Sequence, residues 1–214
     1  MIHINRQAAL HEFTKFVNKE HPQNWSTDFV LNHHSLYERC RNQLEADQGG
    51  LSAYTELRLD DKPGIKHIDH FRKRALYPKS VFDWYNYVVD NHEKIFGSDF
   101  KDDQINKIAD NEKLIDPIRE DAAHFFEYLV SGKIIPSHFL TNDYEKERAQ
   151  FTIDSFNLNH EFLKRRRADL ISQIKNYSAG GISNNDIKSI IVSNLGFPSF
   201  VDFVLDNIIS SINK

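Results

Sequence analysis

The stretch that most constrains the fold covers residues 67–71 and reads His-Ile-Asp-His-Phe. It lies between a turn sequence and three basic residues, which predicts a short extended strand between two loops. Alternate side chains of a strand point to opposite faces, so His67 and Asp69 share one face while Ile68 and His70 share the other. If the strand ends near His70, the chain can curl there and bring Asp69 and His70 to one site. The residues therefore suggest a metal ion held by Asp69, beside a histidine base that activates water.

A chain of 214 residues with 40% hydrophobic and 12% aromatic residues is expected to form one globular domain with appendages. Its net charge of -4 gives the molecule no bulk attraction for nucleic acid, so such binding needs local basic patches or a partner. The absence of an apolar run of membrane-spanning length and of a signal-peptide core predicts a cytoplasmic protein that does not enter membranes. The single cysteine, Cys40, excludes an intrachain disulfide, and its place on an apolar helical stripe predicts burial.

Three segments are expected: an N-terminal helical segment at residues 1–50, a central domain at 51–177 and a C-terminal helical tail at 178–214. In the first, Pro22 ends one helical stretch and Ser26 is the expected N-cap of the next. The tail is rich in large apolar residues. Two interpretations remain open for it: packing on the N-terminal helices, or docking of a partner or a second copy.

The start of the central domain reads as a ββα unit. Residues 51–59 alternate well enough for a strand, 60–64 form a turn sequence, and 65–71 can return as the partner strand. Residues 81–89 are apolar, aromatic and rich in β-formers, which predicts a further strand, and 90–94 read as the cap and first turn of a short helix. Possible metal ligands lie at both ends of this unit.

Beyond the unit, residues 100–113 are polar and predict an exposed helix or a long loop. A β-hairpin is expected at 125–135, followed by a helix that begins at Thr141 and another at 161–176. In the tail, Ser183 is the expected cap of a helix that Gly196 ends, and Ser199 is expected to open the last helix.

These motifs resemble the HNH endonucleases, and most closely the PtuB-like group of bacterial anti-phage systems. The similarity covers roughly residues 51–170 in the right order. It is carried by the stretches at 67–71, 77–80, 82–86, 114–117, 132–136, 152–159 and 165–167. The resemblance implies an α+β, mostly helical fold with a ββα-metal (HNH) nuclease core and helical extensions at both ends. On this interpretation residues 51–177 are the HNH nuclease domain.

The resemblance also implies roles for single residues. His70 would be the general base that takes a proton from the attacking water, and Asp69 would bind a divalent metal ion. Asn86 would be the central asparagine of the motif, which holds the loop so that His70 points correctly. For the third motif position we favour His92 as a metal ligand, with Asn91 as its rival.

His67 is a possible additional ligand because it shares a strand face with Asp69, although it could only cap or pack. A carboxylate ligand is compatible with Mg²⁺ or Mn²⁺, and a histidine ligand shifts the preference toward Mn²⁺, Ni²⁺ or Zn²⁺. Relatives usually carry one Cys-x-x-Cys pair near residues 52–56 and a second after the central asparagine. This chain lacks both pairs, so no structural zinc is expected.

The basic residues near the motif allow two interpretations. Arg72, Lys73, Arg74 and Lys79 could contact phosphates and position a strand without reading its sequence, or they could form a solvated loop. His124 and His138 lack motif support and are interpreted as structural.

The resemblance implies a PtuA-like ATPase of the ABC/SMC type as partner. This chain contains no Walker motif, so any use of ATP would belong to that partner. Some relatives sit beside retrons, so a retron RNA/DNA complex is a further possible partner. The resemblance implies a metal-dependent HNH endonuclease that cleaves phosphodiester bonds, with DNA favoured and transfer RNA possible. The rival interpretation is an inactive HNH scaffold that binds the ATPase or nucleic acid.

Overall fold

The structure is a computed structural model and describes residues 1–60 and 65–210. Within these ranges the fold is α+β and mostly helical, with two small antiparallel sheets, as the sequence predicted at this coarse level. The turn predicted at 60–64 lies almost wholly outside the described residues, as does the end of the last predicted helix. In the described part of the chain, no helix has the length and apolar character needed to cross a membrane.

The first sheet pairs β1 (Lys66–His70) with β2 (Tyr87–Asn91), and helix α3 (Gly97–Gln104) follows directly. In the antiparallel register His67 lies opposite Asp90, Asp69 opposite Val88 and His70 opposite Tyr87. The remaining elements surround this ββα unit. They are α1 (His11–Glu20), α2 (His34–Asp47), α4 (Ile108–Lys113), α5 (Ala122–Phe125), β3 (Phe126–Tyr128), β4 (Ile134–Pro136), α6 (Asp143–Ser155), α7 (Glu161–Ala179), α8 (Asn184–Leu195) and α9 (Pro198–Val204), with π-helical turns at Trp25–Leu31 and Leu205–Ile209.

The sheet lies between two hydrophobic cores, and the alternation of its side chains decides which residue enters which core. Ile68 and Val89 enter an aromatic core with α1 and α2, whereas Val88 points into a larger core with the C-terminal helices. The aromatic core contains Phe13, Phe16, Trp25, Phe29, Tyr37, Trp84 and Tyr87, together with the buried Cys40. Both faces of β1 are therefore packed, which fixes the register because a shift by one residue would place Asp69 among aromatic rings.

The strand expected at residues 51–59 is absent from the described structure. The segment instead makes a tight turn, with single bridges from Leu51 to Arg58 and from Leu57 to Gly196. The Oγ atom of Ser52 accepts hydrogen bonds from the backbone N–H groups of Tyr54 and Thr55. These bonds compete with strand pairing. Glu56 then adopts a φ of 62°, which a regular strand does not allow.

The second strand and the helix after it also differ from expectation. β2 begins at Tyr87 rather than near residue 81, because 3₁₀ turns at Pro78–Ser80 and Trp84–Asn86 precede it. The helix expected at 90–94 starts only at Gly97. Asp90 stays in the strand and caps that helix across space, where its Oδ2 accepts the backbone N–H of Ser98 at 2.8 Å.

Several expected boundaries move by a few residues, while others are confirmed. The helical turn after residue 24 is capped by Asn24 rather than Ser26, and α6 is capped by Asn142 rather than starting at Thr141. The last helix starts at Pro198 instead of Ser199. The hairpin of β3 and β4 and the cap by Ser183 are as predicted.

The C-terminal tail is part of the larger core. Ile187, Ile191, Phe200 and Val204 are fully buried there, and α9 packs against α7 and β3. The buried residues of the tail that the structure describes thus belong to the larger core, whereas α1 and α2 contribute to the aromatic core. Its apolar residues are used mainly inside the protein.

Gly196 provides a test of how the tail is held. Its φ is 86° and its ψ is -146°, a conformation that is nearly exclusive to glycine, and an added Cβ would lie 2.1 Å from the backbone oxygen of Glu56. Strain and overpacking together predict that Gly196→Ala lowers the free energy of unfolding by more than about 3 kcal/mol, as measured by urea denaturation. Gly181→Ala is the control: its φ is 79° but the Cβ would meet open space, so a loss of about 1 kcal/mol is expected. Equal losses in the two variants would contradict the role of the close approach.

Candidate functional site

A polar cleft of about 410 Å³ opens beside the end of β1, between the sheet, α3 and the loop that joins the two strands. A larger groove of about 560 Å³ lies between β3 and α9, where aromatic residues such as Phe139 and Phe203 alternate with polar residues. We consider the smaller cleft as the candidate site because ionisable side chains converge there. It is lined by His67, Ile68, Asp69, His70, Lys73, Arg74, Ala75, His92, Asp99 and Asp102.

One part of the cleft is a potential metal site formed by His67, His92 and Asp99. Each offers one ligand atom, and these atoms lie within 4.8 Å of one another. β1 supplies the first, the residue after β2 the second, and the first turn of α3 the third. The Nδ1 atom of His92 lies 3.3 Å from Oδ2 of Asp99, and Nε2 of His67 lies 4.0 Å from Oδ1. Two imidazoles and a carboxylate form a donor set that suits Mn²⁺, Ni²⁺ or Zn²⁺.

The two imidazole rings are stacked, with their centroids 3.7 Å apart and their planes inclined by 5°. Lone pairs in two parallel planes do not converge on one point, so shared ligation requires one ring to turn. The side chain of His92 is 49% exposed and has room to do so. The Nδ1 atom of His67 is buried and has no hydrogen-bond partner among the described residues. These residues therefore fit a metal ion after a side-chain rotation.

Asp69 lies in the same cleft but has a different partner. Its Oδ2 accepts a hydrogen bond from the hydroxyl of Tyr54 at 2.5 Å and another from the ammonium of Lys101 at 3.0 Å. Among the described residues, Asp69 is not part of the three-residue group that could share an ion. The predicted ligand pair of Asp69 and His92 is thus separated into two neighbouring parts of the cleft.

The charges of this buried ion pair support each other. Burial opposes ionisation of Asp69, but Lys101, His67 and the Tyr54 hydroxyl together lower its pKa to about 2. Burial would lower the pKa of Lys101, and the carboxylates of Asp69 and Asp102 outweigh that effect and raise it. Both groups are therefore charged at neutral pH.

His70 points to the opposite side of β1, as the alternation predicted, yet it still lines the cleft because the strand ends there. Its Nε2 lies 2.9 Å from the backbone oxygen of Val81. A carbonyl oxygen only accepts, so Nε2 carries the proton and Nδ1 is left as the basic atom. The rings of Trp25 and Tyr87 pack edge-on against the imidazole, and burial lowers the pKa of His70 to about 4. The imidazole is therefore neutral at physiological pH.

Asn86 is fully buried directly before β2 and holds the loop between the strands. Its Oδ1 accepts the backbone N–H of Arg72, and its Nδ2 donates to the backbone oxygens of Arg72 and Ser80. These hydrogen bonds close the loop and place the backbone oxygen of Val81 next to His70. This is the position that the sequence assigned to the central asparagine, and its part in catalysis stays a prediction.

The four predicted phosphate-binding residues lie in different environments. Lys73 donates to the backbone oxygens of Asp102 and Ile105 and thereby caps the C-terminal end of α3. Arg72 stacks over the ring of Tyr77, with 5.6 Å between Cζ and the ring centroid. Arg74 is exposed and lines the cleft, while Lys79 is exposed outside it. Arg74 is the best placed of the four to meet an anion in the cleft.

The rival third ligand, Asn91, lies outside the cleft lining. Its Oδ1 accepts the backbone N–H of Asp60 and its Nδ2 donates to the backbone oxygen of Arg58, so its role is structural. His124 and His138 also lie outside the cleft lining. His124 contacts the ring of Phe125, and His138 contacts the ring of Phe139.

Reasoning from the sequence missed two residues of α3, Asp99 and Lys101. Residues 100–113 were expected to be exposed because they are polar, yet Lys101 is fully buried. The available signal was the spacing of Ser98 and Lys101 in the helix and of Ile105 directly after it, since all three are buried. A lysine in such a stripe can bury its aliphatic stem when a carboxylate lies at its end.

No protein-family model and no curated protein matches this chain.

The buried neutral state of His70 has a consequence for stability. Its pKa is depressed from 6.5 to about 4 on folding, so its contribution to stability is complete above about pH 6.5 and is lost as the pH falls toward 4. By linkage, the loss is on the order of 3 kcal/mol. Urea denaturation of the wild type in the presence of EDTA should show this decline.

The matched variant is His70→Gln, which keeps a donor for the Val81 oxygen and does not titrate. Between pH 6.5 and 4 the variant should lose less free energy of unfolding than the wild type, while the other histidines contribute equally to both. Parallel pH profiles would show that His70 is not buried in its neutral form.

Proposed function

We propose that this protein is a metal-dependent endonuclease of the HNH type, which cleaves phosphodiester bonds of nucleic acid. The observation that carries the proposal is the convergence on one cleft of an oriented neutral imidazole, His70, and a potential metal site, His67, His92 and Asp99. The buried Asn86 next to them braces the intervening loop. The order of strand, loop, strand and helix agrees with the ββα-metal architecture that the sequence resemblance implies.

In this proposal His70 acts as the general base. Its Nδ1 accepts a proton from the attacking water. The Val81 oxygen accepts a hydrogen bond from Nε2–H and stabilises the imidazolium that forms. A pKa of about 4 makes the free imidazole a weak base. The negative charge of a phosphodiester close to the ring would raise this pKa toward neutrality.

The other residues hold and position the reactants. His67, His92 and Asp99 would hold the divalent ion, which when bound stabilises negative charge on phosphate oxygens. Arg74, exposed at the edge of the cleft, would pair with a backbone phosphate. Mg²⁺ or Mn²⁺ was expected with the carboxylate of Asp69 as a ligand, whereas the nitrogen-rich donor set favours Mn²⁺, Ni²⁺ or Zn²⁺ over Mg²⁺.

The charge distribution supports a need for a partner. The chain carries a net charge of -4, and Lys73 and Arg72 are engaged within the protein. Affinity for nucleic acid comes mainly from neutralising phosphates, so this chain would bind its substrate weakly alone. We propose that it acts in the cytoplasm as the effector of an anti-phage complex with a PtuA-like ATPase. The substrate would be DNA or, in a retron-associated system, transfer RNA.

A second candidate is an inactive HNH-fold scaffold that binds the ATPase or nucleic acid. The specific observation in its favour is that Asp69, the expected metal ligand, is engaged by Lys101 and Tyr54. The two candidates differ in whether His70 is needed for phosphodiester cleavage.

Nuclease activity separates them. The wild type, assayed with the ATPase partner on plasmid DNA and on total transfer RNA in the presence of Mn²⁺, is expected to cleave one of these substrates. His70→Ala should reduce the rate at least about 100-fold, because general-base catalysis contributes that much. His124→Ala, which removes an exposed histidine remote from the cleft, should leave the rate unchanged. If wild type and His70→Ala behave alike while both are folded, the scaffold is the better description.

Metal binding is tested without substrate. Asp99→Asn and His92→Ala should each weaken Mn²⁺ binding at least about tenfold in calorimetric titrations, since loss of even an indirect partner of a metal costs that much. Asp103→Asn serves as the control because Asp103 is an exposed carboxylate on the same helix. Unchanged Mn²⁺ affinity in both cleft variants would show that His92 and Asp99 are not metal ligands.

A further inference from the structure

The second part of the cleft is built around the ammonium group of Lys101. Its Nζ lies 3.0 Å from Oδ2 of Asp69, 3.0 Å from the backbone oxygen of His70 and 2.9 Å from Oδ1 of Asp102. The residue is completely buried. The ammonium donates hydrogen bonds to Asp69 and to the His70 oxygen, and its contact with Asp102 is an ion pair.

This set of oxygens is also the kind that binds hard divalent cations. Two carboxylates and a backbone carbonyl are typical ligands of Mg²⁺ and Ca²⁺. The carboxylates carry two negative charges, whereas Lys101 supplies one positive charge. The oxygen-lined part of the cleft therefore holds a cation that belongs to the chain itself.

The ammonium is not free to leave. Helix α3, which carries it, is fastened at its N-terminal end by Asp90, which accepts the backbone N–H of Ser98 at 2.8 Å. At the C-terminal end, Lys73 donates to the backbone oxygens of Asp102 and Ile105. The ring of Tyr54, 6.0 Å from Nζ, closes a further side. An external ion would have to displace a charged group that has no other oxygen partner at hand among these neighbours.

We propose that Lys101 is a tethered cation that closes Asp69 and Asp102 to divalent metal ions. In the proposed nuclease, on which its catalytic meaning rests, a metal ion would bind at His67, His92 and Asp99 alone. The protein would then select ions that favour imidazole nitrogen and discriminate against Mg²⁺. Lys101 acts on the site through Asp69 and is a positioning residue that determines metal specificity.

The test counts bound metal ions in the full chain, without nucleic acid. Lys101→Ala leaves two carboxylates and a carbonyl around an open space, so this variant should bind one more Mg²⁺ per chain than the wild type in calorimetric titrations. The double variant Lys101→Ala, Asp69→Asn should lose that additional Mg²⁺. Lys107→Ala, which removes an exposed lysine, should bind as the wild type does. If Lys101→Ala gains no Mg²⁺, or if the wild type binds Mg²⁺ through Asp69, the proposal is overturned.

A second measurement applies if Lys101→Ala does not fold. In the otherwise wild-type chain, Asp69→Asn should change Mn²⁺ affinity by less than about threefold, whereas Asp99→Asn should weaken it at least about tenfold. The reverse order would show that Asp69 is the ligand and that Lys101 yields to the metal.

The outcomes distinguish this inference from the proposed nuclease. A wild type that follows the expected metal counts but cleaves no nucleic acid would refute the nuclease and leave the role of Lys101 intact. A wild type that cleaves nucleic acid only while Mg²⁺ is bound through Asp69 would support the nuclease and refute the role of Lys101.

Discussion

The ion pair between Lys101 and Asp69 joins the helix of the ββα unit to its first strand. Both side chains are buried, so each needs the other: an unpaired charge at this depth would cost several kcal/mol. The pair is a further anchor of α3, the helix whose first turn places Asp99 beside His67 and His92. The Asp90 cap and Lys73 hold the two ends of the same helix. The position of α3 at the cleft therefore rests on contacts at both ends and on the buried ion pair between them.

This arrangement divides the cleft into two parts with different chemistry. One part offers two imidazoles and a carboxylate, and the other offers oxygen atoms already occupied by an ammonium group. His70 lies at the strand end between them, with its Nε2–H fixed by the Val81 oxygen and its ring packed against Trp25. The aromatic core that lowers the pKa of His70 also keeps β1 in register. The packing of the aromatic core thus contributes both to stability and to the proposed chemistry.

Much of the fold could be predicted from local patterns. The hairpin of β3 and β4, the helix capped by Ser183 and the burial of Cys40 are as expected. The expected strand at residues 51–59 was wrong because the Ser52 side chain competes for backbone N–H groups. The helix expected at 90–94 was wrong because Asp90 caps a helix that starts seven residues later. Both errors concern polar side chains, whose hydrogen-bond partners cannot be predicted from the hydrophobic periodicity of the sequence.

The sequence by itself determined that β1 carries His67 and Asp69 on one face and His70 on the other, because the two-residue period of a strand is a local property. The family resemblance implied that Asn86 holds the loop. Only the tertiary structure decided that Lys101 is buried against Asp69 and that Asp99 joins the two histidines. Charged groups pair through space, across 32 residues of chain in the case of Lys101 and Asp69, and their partners are set by how the helix packs on the sheet.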